Sequence, residues 1–465
     1  MGSGPGWQTG PMPFISINPA TEEIIAEYPV ATPSEIDAAL DRAHHAFASW
    51  RTTSYGERAH VMVRAAELLE GEVPVIAALM TSEMGKSFNA ARGEVVKCAL
   101  TMRYVAEHAE EYLATQMIAT SGSRSGVRFD PVGAILAIMP WNFPLWQVVR
   151  FAAPTLMAGN VVVVKHAPNV PGSAQYLADL FLRAGFPEGV VTNLFVEVES
   201  ISGIIADPRI AGVTLTGSER AGRAVAEIAG RHLKKCVLEL GGSDAFVVGA
   251  HADLDLAVPM AVTAGVQNNG QACIAAKRFI VVRERADEFL ERFSAAMAAV
   301  PTGDPMDPEV VLGPLVSRAQ LDLLNDQVSS SVAAGATVHV GGTPLARDGF
   351  FYPATVLSAV PSTSRAALEE LFGPVATVYV VDDLAAAIDL ANDTPWGLGG
   401  SIWSTDDTEI DQAIAGIDAG VVFANAMVAS MPELPFGGTK NSGFGRELSS
   451  FGMREFTNVK SFFVA

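Results

Sequence analysis

Four consecutive valines, Val161 to Val164, sit between Asn160 and Lys165. An unbroken β-branched run does not alternate as a strand with one wet face would. It fits a parallel strand covered on both sides. Parallel neighbours need crossover connections, usually helices, and the flanking sequence supplies them. Ala134 to Met139, Gly189 to Phe195, Gly212 to Leu215 and Lys235 to Glu239 predict strands. Leu145 to Met157, Ala174 to Ala184 and Ser218 to Gly230 predict helices between them. This alternation implies an α/β fold with a doubly wound parallel sheet, which binds ligands beyond the carboxyl ends of its strands.

Apolar residues at three-and-four spacing predict helices over Ser34–Ala48 and Tyr55–Glu70, with more helix from about Val73 to Ala114 and Gly85 as a cap. Asn18-Pro19-Ala20-Thr21 predicts a turn. Near Ser121–Gly126 the helical pattern breaks, and Val127–Pro131 predicts a strand leaving the main body. Such a strand needs a partner edge, either the final strand Val459–Val464 or another subunit. A second alternating segment runs from Asp253 to about Phe423. Its expected helices are Leu254–Val266, Ala286–Ala299 and Arg318–Ala334, and its expected strands Lys277–Val282, Val375–Val381 and Gly420–Phe423. The change of domain falls just after Gly241-Gly242.

The chain has 465 residues, 49% of them hydrophobic, enough for two or three domains. Lysine and arginine number 31 against 51 acids, a net charge of −20, which argues against a nucleic-acid or anionic-membrane surface. The three cysteines, Cys98, Cys236 and Cys273, are too few and too scattered for a disulfide framework. No stretch reads as a membrane span, and residues 1–13 lack the basic and apolar regions of a signal peptide. They read as a flexible arm, and the expected location is the cytoplasm.

Chemistry concentrates at a few strand and loop ends. Cys98 lies in a helical pattern and Cys236 in an apolar strand, so both read as inert buried thiols. Cys273 follows the polar turn Gln267-Asn268-Asn269-Gly270 and precedes a strand, at the mouth of a loop. A thiol nucleophile needs a base and an anion-stabilising donor. Glu239 ends a strand beside Gly241-Gly242 and suits a general base, or a strand-end salt bridge. Asn142, in Pro140-Trp141-Asn142-Phe143-Pro144, suits an oxyanion donor or a helix cap. Lys165 ends the valine strand, where it meets a ribose or simply solvent. Thr216-Gly217-Ser218 opens a helix, where free N–H groups receive a pyrophosphate or Ser218 serves only as a cap. The eight histidines are scattered, and no spacing resembles a metal site.

Taken in order, these stretches resemble the aldehyde dehydrogenase superfamily over nearly the whole chain. Glu370-Leu371-Phe372-Gly373-Pro374 and Pro435-Phe436-Gly437-Gly438 complete the set. The likeness is nearest to bacterial succinate-semialdehyde dehydrogenases, through Lys165-His166-Ala167-Pro168-Asn169, Gly241-Gly242-Ser243-Asp244 and Ser442 to Leu448. It implies a Rossmann-like dinucleotide-binding domain from residues 14–120 and 133–241. A catalytic domain over 242–435 and a strand extension for oligomerisation from 121–132 and 445–465 complete that division, with a homodimer or homotetramer as the assembly.

The resemblance also implies roles. Cys273 attacks an aldehyde, Asn142 and the Cys273 N–H hold the oxyanion, and Glu239 activates water to hydrolyse the thioester. Trp141, Lys165, Pro168, Gly217, Ser218, Glu370 and Phe372 fall at the cofactor. NAD-selective relatives often carry a glutamate where this chain has Pro168. Its absence lessens repulsion of a 2′-phosphate, so NADP is expected to be preferred, with NAD possible. Arg150, Trp146, Ser430 and Phe436 fall at the substrate, with Arg150 taking the distal carboxylate of succinate semialdehyde. Related chains often have an arginine at the position of Gly265, which leaves another semialdehyde or a neutral aldehyde open. Ala275 excludes a disulfide two residues after Cys273. A CoA-acylating enzyme and a catalytically silent structural protein are the competing classes.

Overall fold

The structure is a computed structural model, and it describes residues 13–465; the expected arm lies outside the described residues except for Pro13. All four valines of the Val161–Lys165 strand are buried inside a six-stranded sheet. Across the sheet the strands run Gly443–Phe444, Lys235–Glu239, Ile210–Thr216, Ala134–Ile138, Val161–Lys165 and Val191–Asn193. The other five strands are mutually parallel, and only Gly443–Phe444 is antiparallel, against Lys235–Glu239. The chain leaves Ala134–Ile138 toward one edge and returns at Ile210–Thr216 to fill the other. The crevice between those two strands is therefore the topological switch point, where open α/β sheets bind ligands. Register places Ile138 beside Lys165 and Thr216 beside Glu239, so the chemistry-bearing ends share one edge.

A second sheet has seven strands, in the order Thr337–Val340, Thr355–Ser358, Val375–Val381, Ala276–Val282, Asp244–Val248, Gly399–Trp403 and Val421–Ala424. It is parallel except for Thr337–Val340. Its aromatic core stacks Phe246 on Trp403 with ring centroids 5.0 Å apart. Asp244–Val248 sits in the middle of this sheet, although the sequence pattern starts the second segment only at Asp253. Its apolar run follows Gly241-Gly242 so closely that it reads as the tail of the preceding strand. Gly399–Trp403 is also unanticipated, since two glycines weaken its strand signal.

The Arg124–Pro131 strand pairs antiparallel with Thr457–Val464 in unbroken register, Thr457 opposite Pro131 and Val464 opposite Arg124, and Gln116–Met117 adds a third strand. The extension takes less of the tail than residues 445–465. The Ser449–Glu455 helix instead packs on the Phe88–Tyr112 and Trp146–Met157 helices, with Met453 and Phe456 in the core of the first sheet. Among the described residues, no helix is long and apolar enough to cross a membrane.

Asn160 ties this junction together. Its buried Oδ1 accepts from the Val132 and Gly133 N–H groups at 2.7 and 3.1 Å, and its Nδ2 donates to the Phe456 carbonyl at 2.8 Å. Asn160→Ala leaves three backbone groups without that partner, with an expected loss of about 3 kcal/mol of unfolding free energy in urea. A loss below about 0.5 kcal/mol would mean that water replaces the amide.

Candidate active site

Cys273 owes its position to an unusual backbone. Asn268, Asn269 and Gly270 adopt left-handed conformations in succession, with φ of 54°, 59° and 70°. Asparagine tolerates this region better than most residues because its short amide bonds locally. Both asparagines do so here. Asn269 Nδ2 donates to the Gly85 and Pro314 carbonyls, each at 2.9 Å, and its Oδ1 accepts from Gly313 N–H at 3.0 Å. Asn268 Nδ2 donates to the Asn142 carbonyl at 2.8 Å. A Cβ at Gly270 would overlap the Gly373 carbonyl, so the absent side chain lets the loop close against Phe372-Gly373-Pro374. Beneath the loop, buried Lys277 donates from Nζ to the Ala272 and Cys273 carbonyls at 3.0 and 3.3 Å and lies 3.4 Å from Glu370 Oε1.

Three residues before the Ala276–Val282 strand, Cys273 therefore meets the carboxyl edge of the first sheet. A cavity of about 290 Å³ lies between them. Cys273, Asn142, Glu239, Trp141, Gly217, Ser218, Glu370 and Phe372 all line it, together with Gln147 and Thr216. Asn142 donates one amide hydrogen to the Gln271 carbonyl at 2.9 Å. An amide nitrogen carries two donors, so one remains. Phe372 stands edge-on to Trp141 with centroids 5.6 Å apart.

The site is electrostatically dry. Burial pushes the Cys273 thiol up to about 12, against the pull of Arg150 and Lys277. The residue still has some exposure through the cavity, so a reagent reaches a thiol whose surroundings disfavour charge. Burial also raises the Glu239 carboxyl well above its ordinary range, with Arg150 opposing and Glu447 adding to the rise. Glu239 Oε1 has no hydrogen-bond partner. An uncharged thiol and a proton-holding carboxyl are the resting forms that this arrangement favours.

One end of the cavity suits a phosphorylated ligand. The Glu219–Arg231 helix opens at Ser218, which caps it by accepting from Ala221 N–H at 3.3 Å. Beyond the neighbouring strand, Lys165 is buried, and its ammonium makes no hydrogen bond or ion pair within the described residues. Burial lowers its pKa, as expected of an ammonium that lacks an anion. Pro168 is exposed just past it, with no carboxylate at that position. A lone buried cation and a helix N-terminus fit an anionic dinucleotide.

The four expected substrate residues take other places, and none lines this cavity. Arg150 sits among carboxylates. It is only 2% exposed, pairs through Nε with Glu447, lies 4.0 Å from Glu239 and stacks on the Phe436 ring at 4.7 Å. Its guanidinium thus faces two carboxylates, while its Nη2 makes no hydrogen bond. Trp146 and Ser430, both buried, meet instead through Lys97. Sequence reasoning missed Lys97, Lys277, Glu447 and Asn269. Asn269 alone carried a local signal, since two asparagines before a glycine favour left-handed backbone.

A model of the aldehyde dehydrogenase family matches residues 7–462, and the chain belongs to that family. Succinate-semialdehyde dehydrogenase (NADP+) 1 of Mycobacterium tuberculosis is 50% identical over 457 residues, covering 98% of this chain and 100% of the relative. The structure of succinic semialdehyde dehydrogenase from Streptococcus pyogenes, in complex with NADP+, superposes with a TM-score of 0.95 at 38% identity, covering 97% of this chain and 99% of that one. The structure of Gox0499, from a study of its cofactor and substrate selection, reaches 0.96 at 43% identity and covers 98% and 100%.

Because the raised pKa keeps Cys273 protonated at neutral pH, its reactivity must climb as pH rises. Alkylation of Cys273 by iodoacetamide, followed by peptide mapping in the cofactor-free protein, should still be accelerating above pH ~9, past the ordinary thiol midpoint of about 8.5. A plateau below pH ~8 would mean that the thiolate is already stabilised.

Proposed function

We propose that this protein oxidises succinate semialdehyde to succinate, with NADP+ preferred and NAD+ accepted. The observation that carries this reading is the convergence of Cys273, Asn142 and Glu239 on one cavity whose far end suits an anionic dinucleotide. The names of the relatives give the substrate and the cofactor. A homodimer or homotetramer in the cytoplasm belongs to the same reading.

The residues then act in turn. Cys273 loses its proton to solvent at the open mouth of the cavity, and its sulfur bonds to the aldehyde carbon as the carbonyl π pair moves to oxygen. The oxygen gains negative charge, and the free Asn142 N–H and the Cys273 backbone N–H stabilise it. A bound dinucleotide would supply the oxidant that takes an electron pair and hydrogen from this carbon, which would leave a thioester on Cys273. Glu239 takes a proton from water, whose oxygen bonds to the acyl carbon while the carbon–sulfur bond breaks. Succinate leaves and the thiol returns. Arg150, between Glu447 and Glu239, favours the Glu239 carboxylate when it must accept that proton. Lys165, Gly217 and Ser218 would hold the dinucleotide's phosphates and ribose, and Glu370, Phe372 and Trp141 its nicotinamide end. A buried carboxyl on the acyl side argues for hydrolysis over acyl transfer to CoA.

Initial rates with succinate semialdehyde and with butanal, each with NADP+ and NAD+, test the proposal. The expected kcat/KM is at least about tenfold higher for the semialdehyde with NADP+. Preference for butanal would remove the substrate assignment. Glu239→Gln should keep one equivalent of NADPH formation while steady turnover falls about 10²–10⁴-fold. A rate restored by CoA alone would overturn the hydrolytic step.

A further inference from the structure

A second cavity, of about 370 Å³, lies where the strand extension meets the start of the Tyr55–Gly71 helix. Arg51, Arg58, Arg128 and Lys460 line it, and Asp130 is the only acid among its described lining residues. Four positive charges against one negative leave a local surplus of three in a protein of net charge −20. Asp130 serves two of the cations at once, Arg128 at 3.0 Å and Lys460 at 2.5 Å. Arg51 lies over the Phe47 ring and Arg58 over the Tyr55 ring, and neither forms an ion pair among the described residues. Arg58 is only 5% exposed. Its Nε and Nη2 donate to the Ser54 and Thr53 carbonyls at 3.4 and 3.1 Å, and its buried Nη1 has no partner. A Cβ at Gly159 would stand 2.4 Å from Nη1, so that group reaches the turn whose Ala158 walls the cavity. Glu57, the neighbouring acid, spends its carboxylate on the Ser54 N–H and hydroxyl at 2.7 and 2.8 Å.

We infer that this cavity binds the phosphate group of a small phosphorylated ligand, with Arg58 at its base and Arg51, Arg128 and Lys460 nearer solvent. A guanidinium fork meets phosphate oxygens two at a time. A phosphate carries close to two charges and a carboxylate one, so the surplus of three favours the phosphate. The volume falls within the ~300–1,000 Å³ range of small-molecule sites. Burial lowers the Arg58 pKa, with Tyr55 and Glu57 opposing, yet a guanidinium stays charged in a protein. A buried charge without a counter-charge is costly, and an incoming anion relieves that cost. The lining comes from the Tyr55–Gly71 helix, from the paired strands Arg124–Pro131 and Thr457–Val464, and from Ala158 at the end of the Trp146–Met157 helix. A phosphate seated there would pin the extension to the body of the protein. The seat is separate from the cavity that holds Cys273, with which it shares no lining residue.

Isothermal titration of the full chain with pyrophosphate tests this, with NADP+ at saturation so that the dinucleotide seat beside Lys165 is filled. One equivalent per chain is expected, with a melting temperature that climbs as pyrophosphate is added, because the ligand binds only the folded chain. Arg58→Gln should weaken binding at least about tenfold. The double variant Arg128→Gln with Lys460→Gln, at two partly exposed positions, gives the same test if Arg58→Gln does not fold. Asp130→Asn should tighten binding, because Arg128 and Lys460 lose a competing carboxylate. Inorganic phosphate should displace the probe, and acetate at equal ionic strength should not. Displacement by acetate equal to that by phosphate would overturn the class of ligand. No binding to the wild type, or an affinity that these substitutions all leave within about twofold, would overturn the site.

Discussion

A left-handed run of backbone holds the site in place. Each non-glycine residue in that region costs on the order of 1 kcal/mol, and Asn268 and Asn269 occupy it side by side. The three buried hydrogen bonds of Asn269 offset this, at about 1 kcal/mol each. They also fix the cysteine loop to Gly85, on the helical side of the first sheet, and to Gly313 and Pro314 in the second half of the chain. The strain and its compensation therefore set where two separately built sheets meet. Lys277 completes the arrangement by gathering the carbonyls that follow the turn. Without that clamp, nothing in the Ala276–Val282 strand would dictate where Cys273 stands relative to Asn142.

Around this frame the charges are arranged in matched and unmatched groups. Lys86 with Glu94 and Arg150 with Glu447 are buried pairs, and such pairs contribute little net stability once desolvation is counted. They do fix geometry. Glu94 caps the first turn of the helix that carries Arg150, directly after the Asn142 loop. His166 adds a second tether, bonding the Pro144 carbonyl through Nε2 at 2.8 Å, and burial pushes its ring down to about 4, so it works there as a neutral group. Lys165 and Lys97, both largely buried, have no carboxylate partner among the described residues of this otherwise acidic protein.

Much of this was legible in the sequence, and the rest was hidden for a physical reason. The valine run and the strand–helix alternation revealed the first sheet, because burial on both faces leaves an unbroken apolar signature. Cys273, Glu239 and Asn142 stood out because each ends an element or fills a turn. Asp244–Val248 was lost beside the glycines that precede it. The partner of Arg150 was not legible, because helical spacing gives a residue's direction but not what it meets, and Glu447 lies far along the chain. Lys97 offered no signal at all. Its contacts with Ser430 and Trp146 exist only in the folded chain.

Glu447 also bears on how the protein is made. Arg150 and Glu239 are translated long before Glu447, as are Lys235–Glu239 before its edge partner Gly443–Phe444 and Arg124–Pro131 before Thr457–Val464. A nascent chain emerging at roughly 5–20 residues per second thus carries a guanidinium destined for the interior, and two open strand edges, for many seconds. Arg150 has no Glu447 to pair with until the tail is made. The tail acts as a latch, and the order of synthesis makes assembly of the active site a late event in folding.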